Sequence, residues 1–240
     1  MGIAIGSVVI LVDSASDNVT SRMVSALEQA VLSRSPQLEI QVMVVDTLND
    51  SGWDQGNPPH RLLCPLTFNL PNWLDFSGTE VFRACRNVAG LRQQVAQWNI
   101  LTGTGDLWLP IALTARGPLY GEVIGTGRQD PAQVTSNPSP PYFQPVHLGD
   151  PWRQPLYGLG QRLLQSLLAP PAVYLMQFGF QDQSLCFDRL FPFPAAPAIA
   201  SLNVQIPDLF ACHWLCMTKQ PIFDLLISPS SLIPHPSSLS

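Results

Sequence analysis

The chain has 240 residues, a net charge of −5 and only 12% charged residues, against about 25% in typical soluble domains. This acidic balance, without any basic tract, argues against a nucleic-acid partner. Lys219 is the only lysine, which excludes a phosphate-binding loop with its own lysine and any cluster of phosphate-binding lysines.

The compartment is predicted from apolar runs and cysteines. The apolar run over 3–12 has ten residues, whereas a membrane-spanning helix needs about 20. No basic segment precedes this run, which argues against a signal peptide. The five cysteines are irregularly spaced and do not suggest a disulfide framework. We therefore expect no membrane span and a cytoplasmic protein with reduced thiols.

A strand, a helix and a second strand are predicted at the start of the chain. The β-branched run over 6–14 and the apolar run over 38–47 are typical of buried strands. Between them, apolar residues recur at helical spacing, Asp17 can cap the helix, and Pro36 follows its end. This order predicts a βαβ unit with parallel strands.

The next segment is less regular. Residues 49–75 are interrupted by Pro, Gly and Asn, and predict an irregular region with one short strand near 63–68. A single helix is predicted over 78–99, although Gly90 lies inside it.

From residue 101 the pattern changes to strands joined by turns. The predicted strands are two over 107–125, one over 142–148 and a hairpin over 172–191, and the predicted helices are 150–169 and 206–220. We therefore predict an α/β fold that is α+β in its second half. Its N-terminal βαβ unit is followed by a mainly antiparallel sheet with two helices.

The order of elements in the second half is typical of one family. The helix over 156–168 precedes a hairpin that runs into Pro192 and Pro194, then small residues, then the closing helix. This order resembles the C-terminal subdomain of the ATP-grasp family, and the βαβ opening is similar to that family's N-terminal domain. We expect three regions: an α/β region over 1–100, an ATP-grasp-like α+β region over 101–227, and a disordered low-complexity tail over 228–240.

The chain departs from the family at the metal-binding motif. The resemblance places the family's metal-ligand Glu at Arg189, its ligand Asn at Phe191 and its Arg at Phe193. Mg²⁺ needs oxygen ligands, and phenylalanine supplies none. The family's nucleotide-gripping lysines have no counterparts. The resemblance therefore implies that ATP-dependent ligase chemistry is lost, and we expect no cofactor and no bound metal.

Four residues are candidates for binding a small ligand. Asp13 and Asp17 lie at the carboxyl end of the first strand, where open α/β sheets bind ligands. Arg83 and Arg86 are three residues apart on a predicted helix and can grip a phosphate or carboxylate. The simpler alternatives are that Asp17 caps a helix and that the arginines form a solvated polar face.

The closing helix carries a second candidate, a zinc site. Cys212 and Cys216 share one face, His213 points away from it, and Cys186 lies on the preceding hairpin. A zinc ion needs four ligands, and no fourth is evident. The pattern favours two thiols packed into the core.

Two functional hypotheses follow. The first is a non-catalytic ATP-grasp-like scaffold that binds a protein partner, or itself, through an apolar surface, because apolar content is high and charge is low. The second is a small-molecule-binding protein or enzyme with a phosphate or carboxylate ligand near Asp13, Asp17 and Arg83 or Arg86. Separately, Phe191 and Phe193 are expected to be buried together against the closing helix, and exposed rings would instead make this segment part of the interaction surface.

Overall fold

The computed structural model of the chain describes residues 5–14, 16–48, 61–127 and 142–228. The helices are α1 (Asn18–Leu32), α2 (Thr79–Arg86), α3 (Val88–Ala96), α4 (Asp150–Ser166) and α5 (Leu209–Met217). The strands are β1 (Ser7–Val12), β2 (Glu39–Val44), β3 (Arg61–Pro65), β4 (Leu101–Thr102), β5 (Leu107–Thr114), β6 (Gly117–Tyr120), β7 (Val123–Thr126), β8 (Tyr142–Val146), β9 (Ala172–Gln181), β10 (Ser184–Phe191), β11 (Gln205–Ile206) and β12 (Leu226–Ile227). Apart from Ser228, the tail predicted over 228–240 lies outside the described residues.

The first sheet is parallel and has the strand order β2-β1-β3. Every residue of β1 is buried, which explains its continuous apolar run, since a central parallel strand is covered on both faces. Helix α1 connects β1 to β2 and buries Met23, Leu27 and Val31 on one face. The predicted βαβ unit is confirmed, and β3 (Arg61–Pro65) overlaps the short strand predicted near 63–68 within the irregular segment.

The single helix predicted over 78–99 is wrong, because the chain forms two helices there. Helix α2 ends at Arg86, and Asn87 leaves the helical region with φ −84° and ψ 71°. The Asn87 side chain then accepts a hydrogen bond from the Gly90 N–H at 3.0 Å and caps α3. An asparagine in the middle of a periodic stretch is thus the start of a new helix rather than an interior residue.

The second sheet follows the order β4-β10-β9-β5-β7-β8, with β6 paired to β5. Adjacent strands in this sheet are antiparallel, except for the short parallel pair β4–β10. Strands β9 and β10 form the predicted hairpin, with Asp182 and Gln183 at its turn, both at positive φ. With α4 and α5 beside it, this sheet confirms the predicted mainly antiparallel region with two helices.

The two sheets share a core around α5. Val8 and Ile10 of β1 belong to the same buried cluster as Val173 of β9 and as Phe210 and Trp214 of α5. This shared core places the exit of β10 beside the carboxyl end of the parallel sheet. No helix in the described ranges is both long and apolar enough to span a membrane. The division of the chain at residue 100 stays a prediction.

Candidate functional site

Four phenylalanines meet where β10 leaves the second sheet. We call Phe68, Phe82, Phe191 and Phe193 the aromatic cluster. The Phe193 ring lies 5.2 Å from Phe68 and is stacked on Phe82 at 5.8 Å, measured between ring centroids. Phe191 lies 5.6 Å from Phe68 and 6.2 Å from Phe193. The cluster therefore joins the segment after β3, helix α2 and the end of the hairpin.

Two rings of the aromatic cluster, Phe191 and Phe193, stand at positions where the resemblance to the ATP-grasp motif places polar side chains. Phe191 and Phe193 stand where the resemblance places a metal-ligand Asn and an Arg, and Phe193 is only 4% exposed. Arg189, at the position of the metal-ligand Glu, donates from Nε to Asp188 Oδ1 at 3.3 Å. Aromatic rings and a guanidinium group offer no oxygen ligand to a hard cation such as Mg²⁺.

Asp188 is a buried carboxylate beside this motif that sequence reasoning missed. A register shift between Phe187 and Arg189 marks a bulge in β10 at this residue. Its Oδ1 accepts from Arg92 Nη2 at 2.5 Å, and its Oδ2 accepts from the Gly105 N–H at 2.9 Å. Both oxygens are thus engaged, and the residue anchors α3 and the β4–β5 loop to the hairpin. The signal available in the sequence was one acid within an apolar strand.

Each of the two predicted acidic residues bonds to neighbouring protein groups. Asp13 Oδ1 accepts from Thr67 Oγ1 at 2.5 Å and from Asn69 Nδ2 at 3.1 Å. Asp17 caps α1 by accepting from the Val19 and Thr20 amides, both at 2.9 Å. The side-chain and backbone hydrogen bonds from Thr20 lower the pKa of Asp17 below its usual value.

The two predicted arginines lie together on α2. The cavity that they line does not include the two predicted acids. Arg83 forms an ion pair with Glu80 and donates from Nη2 to the Asn72 carbonyl at 3.0 Å. Arg83 and Arg86 line a cavity of only about 20 Å³, and neither Asp13 nor Asp17 lines it. A ligand site that combines these four residues stays a prediction.

The cysteines and histidine of α5 are packed in the core. Burial raises the pKa of Cys216 to about 12 and also raises that of Cys212. His213 Nδ1 accepts from the Val173 N–H at 3.1 Å, and burial lowers the pKa of this imidazole to about 3. Within the described residues, no group of His, Cys, Asp and Glu side chains is arranged to hold a metal ion.

Comparison with known proteins identifies the fold only through structure. No family model and no curated protein sequence matches the chain. The structure is similar to that of N5-carboxyaminoimidazole synthetase from Staphylococcus aureus complexed with ADP, with a TM-score of 0.69 and 7% identity over 95% of this chain and 81% of that one.

Two further solved structures show the same likeness. One is glycinamide-RNase-transformylase T from Mycobacterium tuberculosis, with a TM-score of 0.65 and 14% identity, covering 92% of this chain and 81% of that chain. The other is L-amino acid ligase from Bacillus licheniformis, with a TM-score of 0.58 and 8% identity, covering 88% of this chain and 74% of that chain. All three are ATP-grasp-type proteins. The chain therefore has an ATP-grasp-like fold.

Proposed function

We propose that this protein is a non-catalytic ATP-grasp-like scaffold that acts by binding a protein partner or a second copy of itself. The observation that carries the proposal is the aromatic cluster. Phe191 and Phe193 stand where the motif needs polar groups, and their rings pack against Phe68 and Phe82. A metal-bound nucleotide would have to displace packed rings and would gain no ligand in return.

The distribution of cations supports the loss of ATP chemistry. Lys219 is the only lysine and lies just after α5. Arg83 and Arg92 are already bonded to Glu80 and Asp188 respectively. Gripping a triphosphate generally takes several converging cationic groups.

An exposed apolar patch supports partner binding. Ile206 on β11 and Leu226 on β12 are directly paired across the strands and are 61% and 57% exposed. Phe223, three residues before Leu226, is 84% exposed. We call Ile206, Phe223 and Leu226 the apolar patch. Exposed apolar side chains that are close together, as the paired Ile206 and Leu226 are, commonly mark a protein-binding site.

The alternative, a small-molecule site at Asp13, Asp17 and Arg83 or Arg86, has less support. Asp13, Asp17 and Arg83 each bond to neighbouring protein groups, and the cavity lined by both Arg83 and Arg86 has a volume of only about 20 Å³. No observation at these residues favours a ligand over the existing bonds.

Loss of ATP chemistry is tested by titrating the protein with Mg-ATP in a calorimeter and by measuring phosphate release. We expect neither heat of binding nor hydrolysis. The Bacillus licheniformis L-amino acid ligase, assayed in parallel, serves as the positive control. A micromolar dissociation constant for Mg-ATP would contradict the proposal.

Partner binding is tested with the double variant Ile206→Ser, Leu226→Ser. We expect the unchanged protein either to self-associate in light scattering or to capture a partner from lysate, and the double variant to lose that association. Leu168→Asn is the matched control, since Leu168 is 89% exposed and lies outside the apolar patch. The role of this patch would be contradicted if the unchanged protein is a monomer and captures the same proteins from lysate as the double variant does.

A further inference from the structure

Strand β2 forms an edge of the parallel sheet that no second strand of the described chain covers. It pairs with β1 on one side only, from Ser7 opposite Glu39 to Val12 opposite Val44. All residues of β1 are buried, whereas no residue of β2 is. In a strand that is paired on one side, the N–H and C=O groups of alternate residues point outward. The outer edge of β2 therefore offers a row of backbone donors and acceptors to another strand.

Other strands at the edges of the sheets carry features that oppose such pairing. β3 begins with Arg61 and ends with Pro65, β8 contains Pro145, and β4, β11 and β12 have only two residues each. Charges, prolines and short length are common means by which proteins protect a sheet edge. β2 has six residues without a proline, and its single charge is Glu39 at the first position. Among the described strands, β2 is thus the edge with the least protection.

One face of β2 carries a row of apolar side chains. Ile40, Val42 and Val44 alternate along the strand and therefore project from the same face of the sheet. Ile40 and Val44 are partly buried against the core that β1 shares with α1 and α5. Val42 lies between them and is 38% exposed. The apolar row of β2 is thus incompletely covered at its centre.

We propose that β2 pairs in antiparallel orientation with β2 of a second copy of this chain, with a two-fold axis at Val42. This register places Val42 opposite its own counterpart and Ile40 opposite Val44, so that β-branched side chains meet across the axis. The two Glu39 carboxylates then lie at opposite ends of the strand pair, about 20 Å apart, because each residue advances a strand by about 3.3 Å. The single charge of β2 is therefore not placed against a like charge.

A second copy fits this edge better than a strand of arbitrary sequence does. A two-fold interface requires one surface to complement itself, and β2 does so in both its backbone groups and its apolar side chains. Pairing joins the two three-stranded sheets into one continuous sheet. A pair of six-residue strands buries less than the roughly 1,200 Å² of a stable interface, so we expect a reversible dimer with a micromolar dissociation constant. This contact is separate from the apolar patch and does not rest on the partner binding proposed above.

The first test measures the mass of the full chain by sedimentation velocity between about 1 and 200 µM, a range that brackets a micromolar dissociation constant. We expect the unchanged protein to form a dimer as its concentration rises. Val42→Lys places two ammonium groups against each other at the axis and is expected to weaken the dimer by about tenfold or more. Val19→Lys is the matched control, because Val19 has a similar exposure of 42% but lies on α1. Its mass should follow that of the unchanged protein.

The second test locates the two-fold axis by cross-linking. Val42→Cys brings two thiols into opposite positions, where the Cβ atoms of paired strands are about 4.5–5.5 Å apart and a small adjustment allows a disulfide. Oxidised glutathione accepts the electrons and protons that the two thiols lose, and we expect a covalent dimer. Val19→Cys is the control and should give little covalent dimer. The five native cysteines are at most 3% exposed and do not compete.

Three results would overturn the proposal. The first is a monomer at every concentration up to about 200 µM. The second is a dimer that Val42→Lys leaves unchanged. The third is equal cross-linking of Val42→Cys and Val19→Cys, which keeps the test decisive if Val42→Lys does not fold.

The double variant Ile206→Ser, Leu226→Ser separates this contact from the apolar patch. A dimer that persists in the double variant and is lost in Val42→Lys supports pairing through β2, whatever the patch binds. A dimer that the double variant loses and Val42→Lys keeps contradicts pairing through β2 and assigns self-association to the apolar patch.

Discussion

At the level of single residues, the burial of Phe193 shows that the exit of β10 is part of the core. Its ring is 4% exposed and contacts Phe68 and Phe82. Removing a buried aromatic ring loses its burial and leaves a cavity. We expect Phe193→Ala to lower the free energy of unfolding by about 3–5 kcal/mol, measured by urea denaturation.

The matched control for Phe193 is Phe223→Ala. Phe223 is 84% exposed, so its truncation is expected to change stability by no more than about 0.5 kcal/mol. If Phe193→Ala were as harmless as Phe223→Ala, the aromatic cluster would not be part of the core. The segment would then have to be reconsidered as an open binding surface.

The sequence predicted part of this arrangement. Two phenylalanines separated by one proline were expected to lie on the same side and to pack against the closing helix, and Phe191 and Phe193 do contact each other in the cluster that includes α5. Phe68 and Phe82 were not predicted as partners. They lie more than 100 residues earlier in the chain, and no local periodicity reports a contact over that separation.

At the level of elements, two helices begin with an aspartate cap in opposite environments. Asp17 at α1 is exposed, and hydrogen bonds from Thr20 lower its pKa. Asp208 at α5 accepts from the Phe210 and Ala211 amides, both at 2.9 Å, yet burial outweighs these bonds and raises its pKa. The two caps should therefore respond oppositely to pH.

The prediction compares Asp208→Asn with Asp17→Asn, since Asn caps helices about as well as Asp. The usual aspartate pKa is 3.8. An aspartate whose pKa is lowered by folding stabilises the fold at pH values above 3.8. This stability is lost as pH falls through the pKa of the folded state. A raised pKa destabilises the ionised protein, so stability is lost as pH rises through the folded pKa.

Urea denaturation at about pH 3 and about pH 7 measures both effects. Relative to the unchanged protein, Asp208→Asn should gain stability as pH rises, and Asp17→Asn should lose it. The same direction of change in both variants would show that the environment of at least one cap has been misjudged.

Helix α4 offers a second prediction at this level, because it contains two glycines with different surroundings. Gly158 is exposed, and an added Cβ would meet nothing within 4 Å. An added Cβ at Gly160 would lie 2.7 Å from Ile111 Cδ1 in the core. Gly158→Ala should raise stability by about 0.5–1 kcal/mol, because alanine favours helix.

Gly160→Ala is the matched counterpart of this change. Its helix preference is the same, but the new methyl group must displace Ile111, and such overpacking costs about 1–3 kcal/mol. We therefore expect Gly160→Ala to be clearly less stable than Gly158→Ala in the same urea series. Equal stability of the two variants would mean that α4 does not pack closely on β5.

At the scale of the whole molecule, all five cysteines are buried in the core and are at most 3% exposed. Burial raises the pKa of Cys64, Cys85 and Cys216 to about 12, so little thiolate forms near neutral pH. In native buffer we expect the thiols to react slowly with Ellman's reagent, at a rate set by opening of the fold. In urea we expect all five thiols to react. Glutathione at equal thiol concentration is the control, and a fast native reaction would contradict the described core.

The sequence alone determined the local elements and the side-chain types at the end of the hairpin. Runs of β-branched residues, helical spacing and caps predicted the parallel opening, the hairpin and the helix that follows it, because these signals lie within a few residues of one another. The absence of oxygen ligands at Phe191 and Phe193 also needs no structure, since side-chain type decides it. Asn87 was misjudged because its capping bond competes with a helix that the apolar spacing favours equally.

Only the tertiary structure decided which distant residues meet. Arg61, Gly78, His213 and Lys219 belong to separate elements, and packing of β3 and α2 against β9 and α5 brings them around one cavity. The same packing orients His213, because its Nδ1 accepts a hydrogen bond from the Val173 amide of β9. Contacts of this kind depend on how sheets and helices pack across long stretches of chain, and a pattern of period two or 3.6 carries no information about them.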